Sequence, residues 1–405
     1  MNKNKFLKVK YIEGRQEYGV DYDWKEIRRV YRGLKVPSGY WDPCEVPWES
    51  IAYDVELSTR ITGKTTNAIL FGMCARKLYP FFQSGLLRCR EEQIMPKNIS
   101  QMLDTIRTFE GGRYVNYCTN GRWNDIQYDR MNRCFRYVNR DESGDVFEKE
   151  EEPFLRLLSL PESDDFKSSF SAPFMDFVIF DEFIAELYDP ESFSRLANWI
   201  STIFRKRLSG KLCMMANTIR PASPWYRELE ISKVLRKMKL GDPGQIYTTE
   251  LGTPIWIHLF DTPSEHRRKI ASWFFGFKSP ALASIRGDGE LWVYRKFQRI
   301  IYNRDTDEKI SQALKIDTGD EYLGVDIVYT EDRGLIANIH PVTKIREGDI
   351  VLTNGEIWDT QHRKGRGYGP LCDILETLEA RGKIYFSDAE TVTSYDAYMA
   401  AADVA

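Results

Sequence analysis

Asp176-Phe177-Val178-Ile179-Phe180-Asp181-Glu182 runs four apolar residues without a break into two adjacent carboxylates. A continuous apolar run of this length reads as a strand of a parallel sheet, buried on both faces. Ending it on Asp181 and Glu182 places two charges where burial is costly unless a metal ion or a hydrogen-bonding ligand meets them. Asp181 as the cap of a following helix accounts for the same residues, and both readings stand at this point. What the rest of the chain offers those two acids decides between them.

Upstream, Ser50 to Leu57 reads as a strand, followed by Ser58-Thr59-Arg60-Ile61-Thr62-Gly63-Lys64-Thr65-Thr66. The phosphate-loop pattern G-x-x-x-x-G-K-[ST] is complete except at its first position, where Ser58 replaces glycine. In that pattern Gly63 lets backbone N–H groups approach phosphates, and Lys64 neutralises the β and γ oxygens. The Thr65 hydroxyl ligates Mg²⁺ at a helix N-terminus. A Gly-Lys-Thr or Gly-Lys-Ser tripeptide would arise by chance in roughly one chain in five of this length, so context carries the reading of Gly63-Lys64-Thr65. A strand precedes it, and Ala68, Ile69, Phe71, Gly72, Ala75 and Leu78 follow at helical spacing. Asp54 and Glu56 sit uneasily here, because a central strand seldom carries two acids. With such a loop present, a strand ending in Asp181-Glu182 has a use: one carboxylate orders Mg²⁺ and its neighbour acts on an attacking water.

Composition bounds the rest. With 42% hydrophobic and 29% charged residues over 405 positions, the chain is of globular type and long enough for two or three domains. The formal net charge of -3 hides an uneven spread. Lys3, Lys5, Lys8, Lys10, Arg15, Lys25, Arg28, Arg29, Arg32 and Lys35 crowd the start, and Asp141 to Glu152 is a compact acidic run. Seven scattered cysteines, with no C-x-x-C and no Cys/His metal spacing, argue against a structural zinc and fit a reducing cytoplasm. No apolar h-region follows the basic start and no run reaches membrane-spanning length, so a soluble, cytoplasmic protein is expected.

Along the chain, residues 1–49 form a basic, aromatic-rich extension, with a helix at Trp24 to Tyr31 and a Pro/Gly-broken connection from Pro37 to Pro47. A phosphate-loop domain is expected over 50–260. Within it, Gly111 to Val138 reads as a β insertion, Ser192 to Arg207 as an amphipathic helix, and Lys211 to Ala216 as a further buried strand ended by Asn217. The strand–loop–helix alternation predicts a parallel α/β sheet with its site at the strands' C-terminal edge. A helical linker, Ser264 to Phe277, falls in 261–285, and 286–405 reads as a smaller α+β domain. Its elements are strands at Leu291 to Tyr294, Tyr322 to Tyr329, Gly334 to Ile339 and Lys383 to Phe386, and a helix at Leu371 to Arg381, before a frayed end from Tyr395.

Thr59-Arg60 with Gly63-Lys64-Thr65, Phe180-Asp181-Glu182-Phe183, Ile203-Phe204-Arg205-Lys206-Arg207 and Ala216-Asn217, in this order and spacing, resemble the phage DNA-packaging ATPases of the phi-twenty-nine type. These are relatives of the FtsK–HerA translocases. The likeness runs from about Ser50 to Trp225 and resumes at Pro263 to Arg268 and Leu323-Gly324-Val325. It implies an ASCE-type ATPase domain joined to a vestigial RNase H-like domain. It further implies a homo-oligomeric ring, expected as a pentamer, that drives double-stranded DNA through the portal of a procapsid in the infected bacterial cytoplasm. The resemblance implies attachment to the portal either directly or through a structural RNA. By the same resemblance, residues Ser58 to Thr66 bind ATP, Thr65 and Asp181 hold Mg²⁺, and Glu182 polarises the attacking water. Asn217 senses the γ-phosphate, Arg205 reaches a neighbour's nucleotide as an arginine finger, and Lys167 lies at that interface. Arg205 at a helix end also answers to the macrodipole, and Asn217 to simple strand capping.

In the smaller domain, Asp326 stands where an RNase H-like nuclease places its first metal carboxylate, with Asp373 and Asp388 as candidate partners. A terminase-type enzyme with a working nuclease is therefore the alternative, and a non-hydrolysing nucleotide-binding scaffold the third reading. Gln361 to Gly369 is a basic, glycine-rich loop in which Arg363, Lys364 and Arg366 suit phosphate-backbone contact, and equally contact with the portal or a structural RNA, while an ordinary disordered loop accounts for the same residues.

Overall fold

The computed structural model describes residues 7–12, 15–58, 62–99, 102–163, 172, 174–184, 191–205, 207, 209–216, 223–235, 237–239, 241–261, 309–319, 321–354, 360–365, 367 and 369–402. The chain divides into two compact units. The larger comprises Met1–Ala185, Glu191–Ile219 and Met238–Gly287; the smaller comprises Glu186–Pro190, Arg220–Lys237 and Asp288–Ala405. The expected helix Ser264 to Phe277, the strand Leu291 to Tyr294 and all of the linker beyond Asp261 lie outside the described residues.

In the larger unit, β1 (Leu7–Ile12) and β2 (Arg15–Val20) pair as an antiparallel hairpin. Helix α1 (Trp24–Gly33) follows, its N-terminus capped by the Asp23 carboxylate, which accepts from the Glu26 N–H. Then come β3 (Tyr53–Ser58), α2 (Lys64–Leu78), β4 (Gln83–Arg88), α3 (Arg113–Thr119), β5 (Asp125–Asp129), β6 (Cys134–Arg140), β7 (Val146–Lys149) and β8 (Leu155–Ser159). After these come β9 (Met175–Asp181), α4 (Ser192–Ile203), β10 (Lys211–Ala216), β11 (Gln245–Thr248) and β12 (Pro254–Phe260). The sheet order is β11-β12-β3-β10-β9-β4-β8-β6-β5, with β7 on β6. From β12 to β8 every neighbouring pair is parallel, and antiparallel strands finish both ends.

This order explains the opening sequence. Strand β9 lies between β10 and β4, is buried along its whole length, and so has no use for polar alternation. Because the central strands run the same way, Ser58, Arg88, Asp181 and Ala216 all emerge at one edge. Only β10 separates the loop-bearing β3 from β9, a gap of two strand spacings or roughly 10 Å. Helix α2 is buried almost all round, from Asn67 to Arg76, as expected of a helix with apolar residues on every side.

The N-terminal residues belong to this core. Trp41 and Trp48 are fully buried, and Trp48 packs on Phe71 of α2 and Phe177 of β9 with ring centroids 5.5 and 5.4 Å away. The expected β insertion begins instead as a helix, α3, whose Tyr114, Val115 and Cys118 turn into the core. Strands follow only from β5.

The smaller unit holds β13 (Ile310–Asp317), β14 (Tyr322–Thr330), β15 (Gly334–Val342), β16 (Val351–Thr353), β17 (His362–Lys364), α5 (Pro370–Ala380), β18 (Ile384–Phe386) and α6 (Ala389–Ala402). Its sheet order is β17-β16-β13-β14-β15-β18, antiparallel through β13, β14 and β15 and parallel outside them. Leu323, Val325, Ile327, Ala337 and Ile339 form one face and pack with Leu375 and Leu378 of α5 and Val392, Tyr395 and Tyr398 of α6. The end expected to fray is this last helix, anchored by a fully buried Tyr395. The chain is thus a two-domain α/β protein with a large and a small mixed sheet.

Candidate active site at the strand ends

Ser58 ends β3 and is completely buried. Its hydroxyl lies 2.9 Å from that of Thr62, and Lys64 Nζ donates to both, at 3.1 Å in the case of Thr62. The serine in place of the usual glycine therefore joins a small hydroxyl cradle under the lysine. Gly63 takes φ +68°, the left-handed region that glycine enters without penalty, directly before the first turn of α2. That turn holds Lys64, Thr65 and Thr66. Burial pulls the Lys64 ammonium down to about 8, against the raising influence of Asp181 and Glu56. Thr59, Arg60 and Ile61 lie outside the described residues.

The two halves of the site meet. Thr65 Oγ1 donates to Asp181 Oδ2 at 2.8 Å. This joins the first turn of α2 to the end of β9. A hydroxyl and a carboxylate side by side are hard oxygen donors of the kind Mg²⁺ takes. Glu182, next along, sits at φ +56°, a conformation that costs a non-glycine residue of order 1 kcal/mol or more. Its neighbour Phe183 is pinned by an N–H bond to the Met215 carbonyl.

Arg88, at the end of β4, is a site residue that motif reading missed. Its guanidinium reaches Asp181 Oδ2 and Glu182 Oε2, each at 2.7 Å, and Gln93 Nε2 stands 3.5 Å from the same Glu182 oxygen. Arg88 has no motif of its own; only the adjacency of β4 and β9 gives it these partners. The cue available in sequence was a cation closing a short apolar strand.

Arg205 follows α4 at φ +48°, exposed, with its Nε donating to the Thr202 carbonyl at 3.1 Å. Two residues on, Arg207 Nε donates to the buried Asp176 at 2.7 Å, which places this turn at the start of β9. The length of β9 separates it from Asp181, roughly 17 Å at about 3.3 Å per residue. Arg205 is therefore at the far edge of its own sheet from the Thr65–Asp181 pair. Asn217 and Lys167 lie outside the described residues.

The uneasy acids of β3 have partners on neighbouring strands. Cys213 Sγ donates to Asp54 at 2.9 Å, and His258 Nδ1 is 3.0 Å from Glu56. Burial, followed by the Glu56 charge, pushes the Asp54 carboxyl well up. Burial lowers His258, but its bond to Glu56 together with the Glu56 and Glu45 charges outweighs that and raises it overall.

In the smaller unit, Asp326 is buried on β14 with His340 Nε2 3.0 Å away. Gly324 makes room for that imidazole, since a Cβ there would come within 2.7 Å of it. Asp373 is on α5, which packs against the opposite face, and Asp388 caps α6 through the Thr391 N–H. The three acids do not converge, and among the described residues no three His, Cys, Asp or Glu side chains form a metal cluster. Arg363 and Lys364 are exposed on β17 at the sheet's edge, and Arg366 lies outside the described residues.

No protein-family model matches the chain, and no curated protein does. Among solved structures, the Phi-28 gp11 DNA packaging motor is 14% identical with a TM-score of 0.53, over 91% of this chain and 99% of that one. The bacteriophage Phi-29 viral genome packaging motor assembly is 16% identical with a TM-score of 0.53, over 90% of this chain and 100% of that one. The coarse fold expected from the sequence, two α/β domains, is the fold found, a large and a small mixed sheet, and it is shared with these packaging-motor structures.

Proposed function

We propose that this chain is an ATP-hydrolysing motor that moves double-stranded viral DNA into a preformed procapsid. The observation that carries the proposal is the bond from Thr65 to Asp181. It brings a phosphate-loop hydroxyl and a strand-end carboxylate together at the edge where α/β sheets bind ligands. The likeness in fold to packaging-motor structures supplies the setting. We read the larger unit as an ASCE-type P-loop domain, supported by β10 lying between β3 and β9, and the smaller as a vestigial RNase H-like domain.

In this reading residues Ser58 to Thr66 cradle the ATP phosphates and Lys64 neutralises their charge. Thr65 and Asp181 would hold Mg²⁺, which when bound offsets charge on the phosphate oxygens. Glu182 orients the attacking water and accepts its proton, once released from Arg88. Asn217 senses the γ-phosphate. Arg205 cannot serve its own nucleotide from the opposite sheet edge, which suits use in trans: in a head-to-tail ring, one subunit's far edge can face the next subunit's site. Lys167 belongs to the same interface. Arg363, Lys364 and Arg366 contact the DNA backbone. The ring, taken as a pentamer, sits on the portal directly or through a structural RNA, in the cytoplasm of the infected bacterium. Among the described residues no helix is long and apolar enough to cross a membrane.

ATP turnover by the purified full chain, with and without double-stranded DNA, tests this. DNA-stimulated hydrolysis is the expected result; binding of ATP with no hydrolysis under either condition would leave only the scaffold reading.

A further inference from the structure

The segment before β3 reaches across to the phosphate loop at three points. The Trp41 N–H donates to the Thr62 carbonyl at 3.0 Å. Asn67 Nδ2, from the first turns of α2, donates to the Trp41 carbonyl at 2.6 Å. The ring of Tyr40 lies against Gly63 so closely that a Cβ there would come within 2.9 Å of its Cδ1. Trp41 and Asn67 are buried and Tyr40 half-buried, so these contacts belong to the packed interior. The segment is itself fastened: Cys44 N donates to Asp42 Oδ1 at 2.9 Å, and Trp48 Nε1 to the Pro43 carbonyl at 2.8 Å.

We propose that Tyr40 and Trp41 form a strap that positions the phosphate loop by fixing the orientation of the Thr62–Gly63 peptide. This rests on the nucleotide-binding reading above. In a trans peptide the carbonyl and the following N–H point in opposite directions. With the Thr62 carbonyl held by Trp41, the Gly63 N–H is turned away from the strap, toward the side from which a phosphate must approach. A glycine at φ +68° flips its peptide easily, so an unstrapped loop would spend part of its time with a carbonyl where an anion needs a donor. The Tyr40 ring blocks that flip on one side, and Asn67 ties the strap to the helix that carries Lys64 and Thr65. Tyr40 is thus a positioning residue for phosphate, indifferent to the base.

The experiment compares wild type, Tyr40→Ala, Tyr40→Phe and Asn67→Asp in the full chain, by competition of ATP, GTP and inorganic tripolyphosphate against a fluorescent ATP analogue. If the strap keeps the loop competent and its loss leaves about a tenth of molecules so, affinity falls about tenfold. The expected result is that fall in Tyr40→Ala and Asn67→Asp, by the same factor for all three ligands, with Tyr40→Phe like wild type. Turnover at saturating ATP stays unchanged, which a general loss of folded protein would not give. A thermal midpoint for each variant excludes unfolding, and Asn67→Asp carries the test should Tyr40→Ala fail to fold. A loss confined to ATP would make Tyr40 a base-stacking residue and overturn the proposal, as would undiminished binding by both variants. Wild type that binds none of the three ligands would instead overturn the nucleotide-binding reading.

Discussion

Each unit buries an aspartate on a strand in the middle of a sheet, and the two are used differently. Asp181 ends its strand, and it meets a threonine hydroxyl from a helix N-terminus and an arginine from the next strand. Asp326 sits inside its strand and meets a histidine across the sheet. The first arrangement gathers groups that an incoming cation and anion can take over; the second closes a charge pair on itself. A buried acid is thus no guide to chemistry until its partners are known. A strand's end, where partners from a loop and a neighbour converge, is where the partners can be exchanged.

The sharpest way to break this comparison is to neutralise an acid in each unit. Glu182→Gln is expected to lower ATP turnover about 10²–10⁴-fold, the usual worth of a positioned general base, with ATP binding kept. Asp326→Asn is expected to leave turnover untouched, and single-turnover assays distinguish the two. Equal loss in both would mean that the second acid also serves hydrolysis. Removing the partners gives the next largest effect. Arg88 is 13% exposed and the Asp181 side chain 4%, so Arg88→Ala takes the paired cation from a buried carboxylate and leaves it the Thr65 hydroxyl. A loss of about 3 kcal/mol in urea unfolding is expected, at the low end for a broken buried pair. His340 is 29% exposed, and His340→Ala should cost about 1 kcal/mol. If the histidine variant lost more than the arginine variant, the closed pair would be the more demanding of the two.

How far the sequence foretold this follows the range of the interactions. The Gly63-Lys64-Thr65 turn and the acid-ended strand are local patterns, so the meeting of Thr65 with Asp181 was legible. Arg88 was not, because its partners are 93 and 94 residues away and are set by strand order alone. Asp54 and Glu56 looked misplaced for the same reason: Cys213 and His258 reach them only through the neighbouring strands β10 and β12. The stretch from Pro37 to Pro47 has the residues of a surface turn, yet Trp41 within it is buried against the loop. Helix α3, with Tyr114, Val115 and Cys118, shows packing overriding β-type residue preference. Helix α6 gave little periodic signal among its alanines, and its buried Tyr395 supplies the anchor that the pattern lacked.

The smallest expected effect tests the closed pair by pH. Its hydrogen bond to Asp326 raises His340 above the ordinary value of 6.5, with burial acting the other way. A histidine raised on folding binds its proton more tightly in the folded state. Its stabilisation is then complete below about 6.5 and is lost as pH rises through the raised folded value. Stability should therefore decline from neutral pH upward, and His340→Gln should flatten part of that decline in urea unfolding at successive pH values. His258, raised by Glu56, contributes with the same sign in the larger unit, so the measurement is best made in a His258→Gln background. There, Asp326→Asn should remove the same part of the slope as His340→Gln does, while leaving the imidazole in place. A slope that Asp326→Asn leaves unchanged would show that the carboxylate does not hold the proton on His340, and the contrast between the two aspartates would lose its physical basis.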